Sequence, residues 1–134
     1  KITGIICEYN PFHNGHKYQI EHVKKNGSDF VIAAMSGNWV QRGGPAIIDK
    51  YSRTLMALKN GVDLVLEIPT IFSTGSASDY AMGGVSLLDG LGCVDELCFG
   101  CEAPNEDAIA KVAEYMIHNQ ESLAQEINVI IYII

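Results

Sequence analysis

The stretch Ile2-Thr3-Gly4-Ile5-Ile6-Cys7-Glu8-Tyr9-Asn10-Pro11-Phe12-His13-Asn14-Gly15-His16 decides the fold. Its first six residues are mainly apolar and rich in β-branched side chains, the composition of a buried strand. Asn10-Pro11 breaks the run with a turn, and Tyr18, Ile20 and Val23 follow at helical spacing. The segment therefore reads strand, loop, helix, and Asn26-Gly27 closes the helix.

Working outward, Phe30-Val31-Ile32-Ala33-Ala34-Met35 is continuously apolar, which suits a strand covered on both faces and therefore a parallel one. Residues 36–45 are too rich in glycine and polar side chains for a regular element, so they form a surface loop at that strand's end. Asp49 then reads as the N-cap of a helix carrying Leu55, Met56 and Leu58, which Asn60-Gly61 stops. Residues 62–68 are a third strand ended by Pro69, residues 77–91 a helix, Glu96-Leu97-Cys98-Phe99 a fourth strand, and residues 106–120 an amphipathic helix. Strand and helix alternate without an internal repeat. This specifies an α/β layer fold with a mainly parallel sheet, whose ligands bind beyond the carboxyl ends of the strands. The loops after the first, second and fourth strands are expected to line one crevice.

At 134 residues and 48% hydrophobic, the chain has the size of one compact domain. It lacks an uninterrupted apolar run of about eighteen residues and an N-terminal leader pattern, so a soluble, cytoplasmic chain is expected and no membrane partner. Four cysteines in a chain with a good apolar core are expected to be reduced. The net charge of −7 opposes non-specific attraction to a polyanion, so any nucleic-acid site must be local. The last eight residues, 127–134, form an apolar run with no turn residue or cap after it. On that pattern the chain reads as a fragment cut inside or just before another element.

Chemistry concentrates at His13 and His16. Spaced i, i+3 at a helix start, they point along one face toward the end where free N–H groups and the helix dipole favour an anion, and phosphate fits there. Gly15 permits close approach to the backbone and Pro11 fixes the turn. Neither G-x-G-x-x-G nor G-x-x-x-x-G-K-[ST] follows the first strand.

His13-Asn14-Gly15-His16 after a first strand resembles the H-x-G-H signature of the nucleotidyltransferase superfamily. Residues 4–16, Met35-Ser36-Gly37-Asn38-Trp39-Val40-Gln41-Arg42-Gly43, Pro45-Ala46-Ile47-Ile48-Asp49-Lys50, Asn60-Gly61-Val62-Asp63-Leu64-Val65 and Cys98-Phe99-Gly100 are together similar to the bacterial tRNA(Met) cytidine acetate ligase family. The resemblance covers about residues 2 to 102. It implies a Rossmann-like three-layer nucleotidyltransferase fold and an enzyme that adenylates acetate with ATP, then passes the acetyl group to the wobble cytidine of elongator tRNA(Met). By position it assigns ATP to Ile6, Cys7, Glu8, Tyr9, Asn10, Pro11, Phe12, His13, Asn14, Gly15, His16, Lys17, Tyr18, Gln19 and Gly100, with His13 and His16 catalytic. Mg²⁺ is expected with ATP, held through the phosphates. The chain departs from the family at Gln19, where a further histidine is common, and at Cys101, where serine is usual. The resemblance further implies a later segment, with an Asn and an Arg that contact the nucleotide, and a tRNA-binding helical region, both expected to lie beyond this chain.

Plainer readings stand beside these. The histidine pair, or Cys98-x-x-Cys101 with Cys93, has the residue types of a metal site, but no second C-x-x-C occurs and no metal is expected. Asp49 reads as a cap rather than a general base. Trp39 and Arg42 either stack on and pair with the tRNA substrate or serve as loop packing and surface charge. Glu8 and Glu102 either orient substrate or satisfy backbone donors. Gly100 is a close-approach position or an ordinary turn glycine. The rival functions are a nucleotidyltransferase acting on a small phosphorylated metabolite and a non-catalytic, RNA-associated ATP-binding module.

Overall fold

A computed structural model describes residues 1–100 and 106–119. The opening apolar run forms β1 (Ile2–Cys7), followed by α1 (Asn14–Lys25) and β2 (Phe30–Ser36). A short 3-10 turn at Gln41–Gly43 leads to α2 (Lys50–Lys59), β3 (Leu64–Ile68), α3 (Thr70–Ser73), α4 (Ala77–Asp89), β4 (Glu96–Leu97) and α5 (Glu106–His118). Two compact units are distinguished, Lys1–Gly100 and Cys101–Ile134, and the site lies in the first.

All strand pairs are parallel, in the order β3-β2-β1-β4. Parallel pairing follows from the sequence, because β2 is buried from Val31 to Ser36 and a strand without a polar face must be covered on both sides. Helices supply the cover. Ile20 and Val23 of α1 and Ala57 of α2 pack with Ile5, Cys7, Val31, Ala33 and Met35 on one face. Leu88 of α4 packs with Ile32, Ala34 and Ile68 on the other, joined by Phe72 and Tyr80. Each fully buried aliphatic side chain contributes roughly 1.5–3 kcal/mol. Gly84 brings α4 close, since a Cβ there would lie 2.7 Å from Ile6 Cγ2.

The strand order places the site. From β1 the chain runs outward to β2 and β3, then returns to the other side of β1 as β4. The switch point lies between β1 and β4, and the crevice of such sheets opens at the carboxyl ends of those strands.

Several boundaries differ from the sequence reading, each for a local reason. β3 starts at Leu64 because Val62 N–H still bonds the α2 carbonyl of Ala57, and Asp63 bonds β2 through both its N–H and its carboxylate. β4 shrinks to Glu96–Leu97, and the helix of residues 77–91 ends at Asp89, before Gly92 with φ 65°. α3 was not foreseen: the Pro69 carbonyl that ends β3 accepts from Phe72 and Ser73 N–H. In α2 the expected apolar residues Leu55 and Leu58 are exposed, whereas Arg53 and Ala57 are buried. The caps hold as read: Asp49 accepts from Tyr51 and Ser52 N–H at 3.0 Å each, and Gly27 and Gly61 leave their helices at φ 92° and 103°.

Cys7, Cys93 and Cys98 are free thiols. Among the described residues no helix is long and apolar enough to cross a membrane. Cys101, Glu102, Gln120 and the apolar run 127–134 lie outside the described residues.

Candidate functional site

β1 ends at Cys7, and the six residues to His13 carry the chain over the switch point into α1. Tyr9 takes a left-handed backbone at φ 47°, and the Asn10-Pro11 peptide is cis. Tyr9 is buried, its ring lying 4.9 Å from Phe12 and 4.8 Å from His16 between centroids. The loop is thus built on an aromatic floor that supports His16 from inside the fold.

His13 is the N-cap of α1. Its Nδ1 accepts Gly15 N–H at 3.1 Å, and His16 Nδ1 accepts His13 N–H at 3.2 Å, a capping box made from two imidazoles. The rings stack at 3.6 Å between centroids with 22° between their planes. Because both Nδ1 atoms accept, each neutral ring carries its proton on Nε2. Two Nε2–H donors therefore belong to a helix N-terminus. Burial, and then the neighbouring His13, hold the His16 pKa below the ordinary histidine value, so the ring is neutral at pH 7.

Gly15 has a sharper role than ligand access alone. A Cβ at this position would lie 3.0–3.1 Å from the His13 ring, so a side chain would push against the stack itself.

The remaining expected residues divide by environment. Cys7 turns its side chain into the α1 and α2 core and Ile6 into the α4 core, which leaves a ligand only their backbone. Burial raises the Cys7 thiol to about 12, and its carbonyl accepts from Tyr80 Oη at 2.6 Å. Glu8 accepts Gln41 N–H at 2.9 Å and Asn10 Oδ1 accepts Ile47 N–H at 2.7 Å, which ties the first loop to the second. Glu8 therefore satisfies a backbone donor, one of its two expected roles. Pro11 and Asn14 are exposed beside the pair. Lys17 lies 3.8 Å from Glu21, and Tyr18 is exposed near His22. Gln19 Nε2 donates to the Cys98 carbonyl at 3.2 Å, which ties α1 to the segment after β4. The segments that follow β1, β2 and β4 leave the same edge of the parallel sheet, the last of them described as far as Gly100. Gly100 is exposed, and a Cβ there would meet nothing within 4 Å.

Trp39 and Arg42 sit on the second loop. Trp39 is half exposed, and its backbone is fixed by a bridge to Pro45 and by Ser73 Oγ donating to its carbonyl at 3.1 Å. Arg42 is exposed at φ 67° and makes no ion pair among the described residues. Beside this loop, Lys50 pairs with Glu67 at 2.6 Å over a cavity lined also by Ser36, Tyr51 and Thr54.

Comparison with known families decides where this arrangement belongs: a family model for HIGH nucleotidyl transferases matches residues 1–131. The chain belongs to the HIGH nucleotidyl transferase family. Among curated HIGH nucleotidyl transferase relatives, it is 50% identical over 127 residues to tRNA(Met) cytidine acetate ligase of Clostridium tetani, covering 94% of this chain and 32% of that protein. It is 54% identical over 124 residues to the enzyme of the same name from Leuconostoc mesenteroides, covering 90% and 32%. The crystal structure of Thermotoga maritima TmcAL bound with alpha-thio ATP superimposes with a TM-score of 0.84 at 44% identity, over 90% of this chain and 29% of that one. The chain thus spans about a third of the length of the relatives it matches.

One buried polar residue beneath these loops went unread in the sequence. Arg53 of α2 is fully buried and donates to the backbone carbonyls of Glu8, Ser36, Gly37 and Ile48. The only hint in the sequence was an arginine one turn after the Asp49 cap.

Proposed function

We propose that the protein activates acetate with ATP and transfers the acetyl group to the wobble cytidine of elongator tRNA(Met), forming N-acetylcytidine. The observation that carries this reading is the stacked His13–His16 pair, with two Nε2–H donors at the α1 N-terminus beside the switch point. The names of relatives about 50% identical, and a similar structure bound with an ATP analogue, support it.

In the first step an acetate oxygen attacks the α-phosphorus, the bond to the bridging oxygen of the β-phosphate breaks, and pyrophosphate leaves. The transition state spreads negative charge over phosphate oxygens, and preorganised donors in a partly desolvated site stabilise it. His13 and His16 donate through Nε2–H, and Gly15 keeps the ligand close to the helix N-terminus. The donors act without a charge on the rings, because the charge lies on the ligand and the dipole adds to them. Backbone from Ile6 to Gln19, with Gly100, surrounds the nucleotide. Mg²⁺ would be held by the phosphates and would neutralise them; the described residues form no group of three His, Cys, Asp or Glu able to hold a metal.

In the second step the exocyclic amine of cytidine attacks the acetyl carbonyl of the mixed anhydride, loses a proton, and AMP departs. The base must be turned out of its stack to reach the crevice. Trp39 offers an exposed aromatic face and Arg42 an exposed cation on the loop that borders it. A tRNA substrate and ATP place the reaction in the cytoplasm.

The test supplies ATP with acetate or with phosphorylated metabolites and measures pyrophosphate. Release with acetate supports the reading. Release only with a phosphorylated metabolite would instead identify a transferase that leaves the nucleotide on its product.

A further inference from the structure

The β1 loop is clamped from α2. Arg53 is 0% exposed, and its guanidinium reaches four carbonyls: Glu8 through Nη1 at 2.5 Å, Ser36 through Nη1 at 3.1 Å, Gly37 through Nη2, and Ile48 through Nε at 2.8 Å. Among the described residues no carboxylate lies within 4.0 Å of it. A buried arginine is usually paired with an acid. Here its planar fork is matched instead to backbone acceptors from three separate segments, the ends of β1 and β2 and the turn before α2. Lysine cannot reproduce such a fork, having one compact ammonium.

The geometry continues to the histidines. Glu8 O is the carbonyl of the peptide that enters Tyr9, the residue held at φ 47°. A non-glycine residue keeps that backbone only where its surroundings impose it. Tyr9 in turn places its ring 4.8 Å from His16. Arg53, Glu8 O, Tyr9 and His16 form one continuous support.

We propose that Arg53 is the positioning residue of the phosphate site, fixing the first and second loops in the arrangement that presents His16 to a nucleotide. Arg53 touches no reacting atom; it acts through Glu8 and Tyr9. The proposal rests on the reading that the histidine pair binds ATP.

The test compares the unmutated full chain with R53K, which keeps the charge and loses the fork, and R53M, which loses both. Histidine NMR titration reports His16, and calorimetry reports ATP binding. The folded variants are expected to bind ATP on the order of 10–100-fold more weakly, with His16 titrating closer to the ordinary histidine value as the Tyr9 ring shifts. A merely structural arginine would lower the melting temperature and leave both readouts of the folded fraction unchanged, which overturns the proposal. The unmutated chain gives a check that needs no variant: ATP should shift the Arg53 Nε–H resonance, and an unmoved resonance while His16 responds overturns it as well. If the unmutated chain binds no ATP but R53K still moves the His16 titration, the phosphate reading fails and the positioning of His16 by Arg53 stands.

Discussion

His13 and His16 stack at 3.6 Å between ring centroids, and each Nδ1 is occupied by a backbone N–H of the turn they share. The cap thereby fixes the tautomer, and the tautomer leaves each ring an Nε2–H donor beside the helix N-terminus. Long-range ¹⁵N–¹H spectra of the imidazoles should show Nε2–H for both residues. An Nδ1–H form of either ring would contradict the capping geometry.

The same geometry makes stability depend on pH. The folded His16 value lies below the unfolded one, so the unfolded chain binds the proton more readily over that window. The His16 contribution is complete above the ordinary histidine value and is lost as pH falls through the lowered one. Urea unfolding of the unmutated chain against H16Q should show a stability difference that declines from pH 7.5 (roughly one unit above the histidine reference) toward acid. A difference that grows on acidification would contradict the sign.

Gly15→Ala tests whether the stack matters for binding. The added Cβ would press on the His13 ring at 3.0–3.1 Å, while alanine suits a helix better than glycine. ATP affinity is expected to fall by about tenfold or more with global stability nearly unchanged, as read by calorimetry and urea unfolding. Wild-type affinity would show that the rings tolerate displacement.

Asp49 separates capping from catalysis. It caps α2 through Tyr51 and Ser52 N–H, and the Ser52 side chain first, then these backbone N–H groups, hold its carboxyl below the usual range. D49A should cost about 1 kcal/mol in urea unfolding, whereas D49N, an equally good cap, should keep both stability and ATP turnover. Stable but inactive D49N would assign Asp49 a chemical role instead.

How far the sequence could be read depended on the range of the interaction that decides each feature. β1, β2, the caps at Asp49 and Asn60, and the histidine pair were legible because they rest on local patterns: apolar continuity, cap chemistry and i, i+3 spacing. Arg53 was not, because its acceptors lie 45, 17, 16 and 5 residues away and meet only when the sheet forms. The α2 face was obscured for the same reason, since Leu55 and Leu58 carry the apolar signal and stand exposed while Arg53 is buried. Tyr9 showed only as one loop residue of the ATP set that the resemblance implies, because its positive φ and its place beside His16 are tertiary features that the linear pattern does not display.

Trp39 and Arg42 should separate the two half-reactions. If they hold the tRNA base, W39A and R42A should lower kcat/KM for tRNA, with W39A costing on the order of 1–3 kcal/mol as expected for base stacking. Acetate-dependent ATP–pyrophosphate exchange should be unaffected. Equal loss in both assays would place the loop at the nucleotide instead.

The most direct test of the central claim is acetate-dependent ATP–pyrophosphate exchange by H13N and H16Q. Asparagine at the N-cap and glutamine at the third helical position each keep a capping acceptor while replacing the Nε2–H of a rigid stacked imidazole with a flexible amide N–H, so the helix start is preserved and the preorganised donor is lost. The account predicts exchange reduced by on the order of 10²-fold or more in each folded variant, the scale seen when one preorganised donor is lost. Exchange at the unmutated rate in both would contradict it.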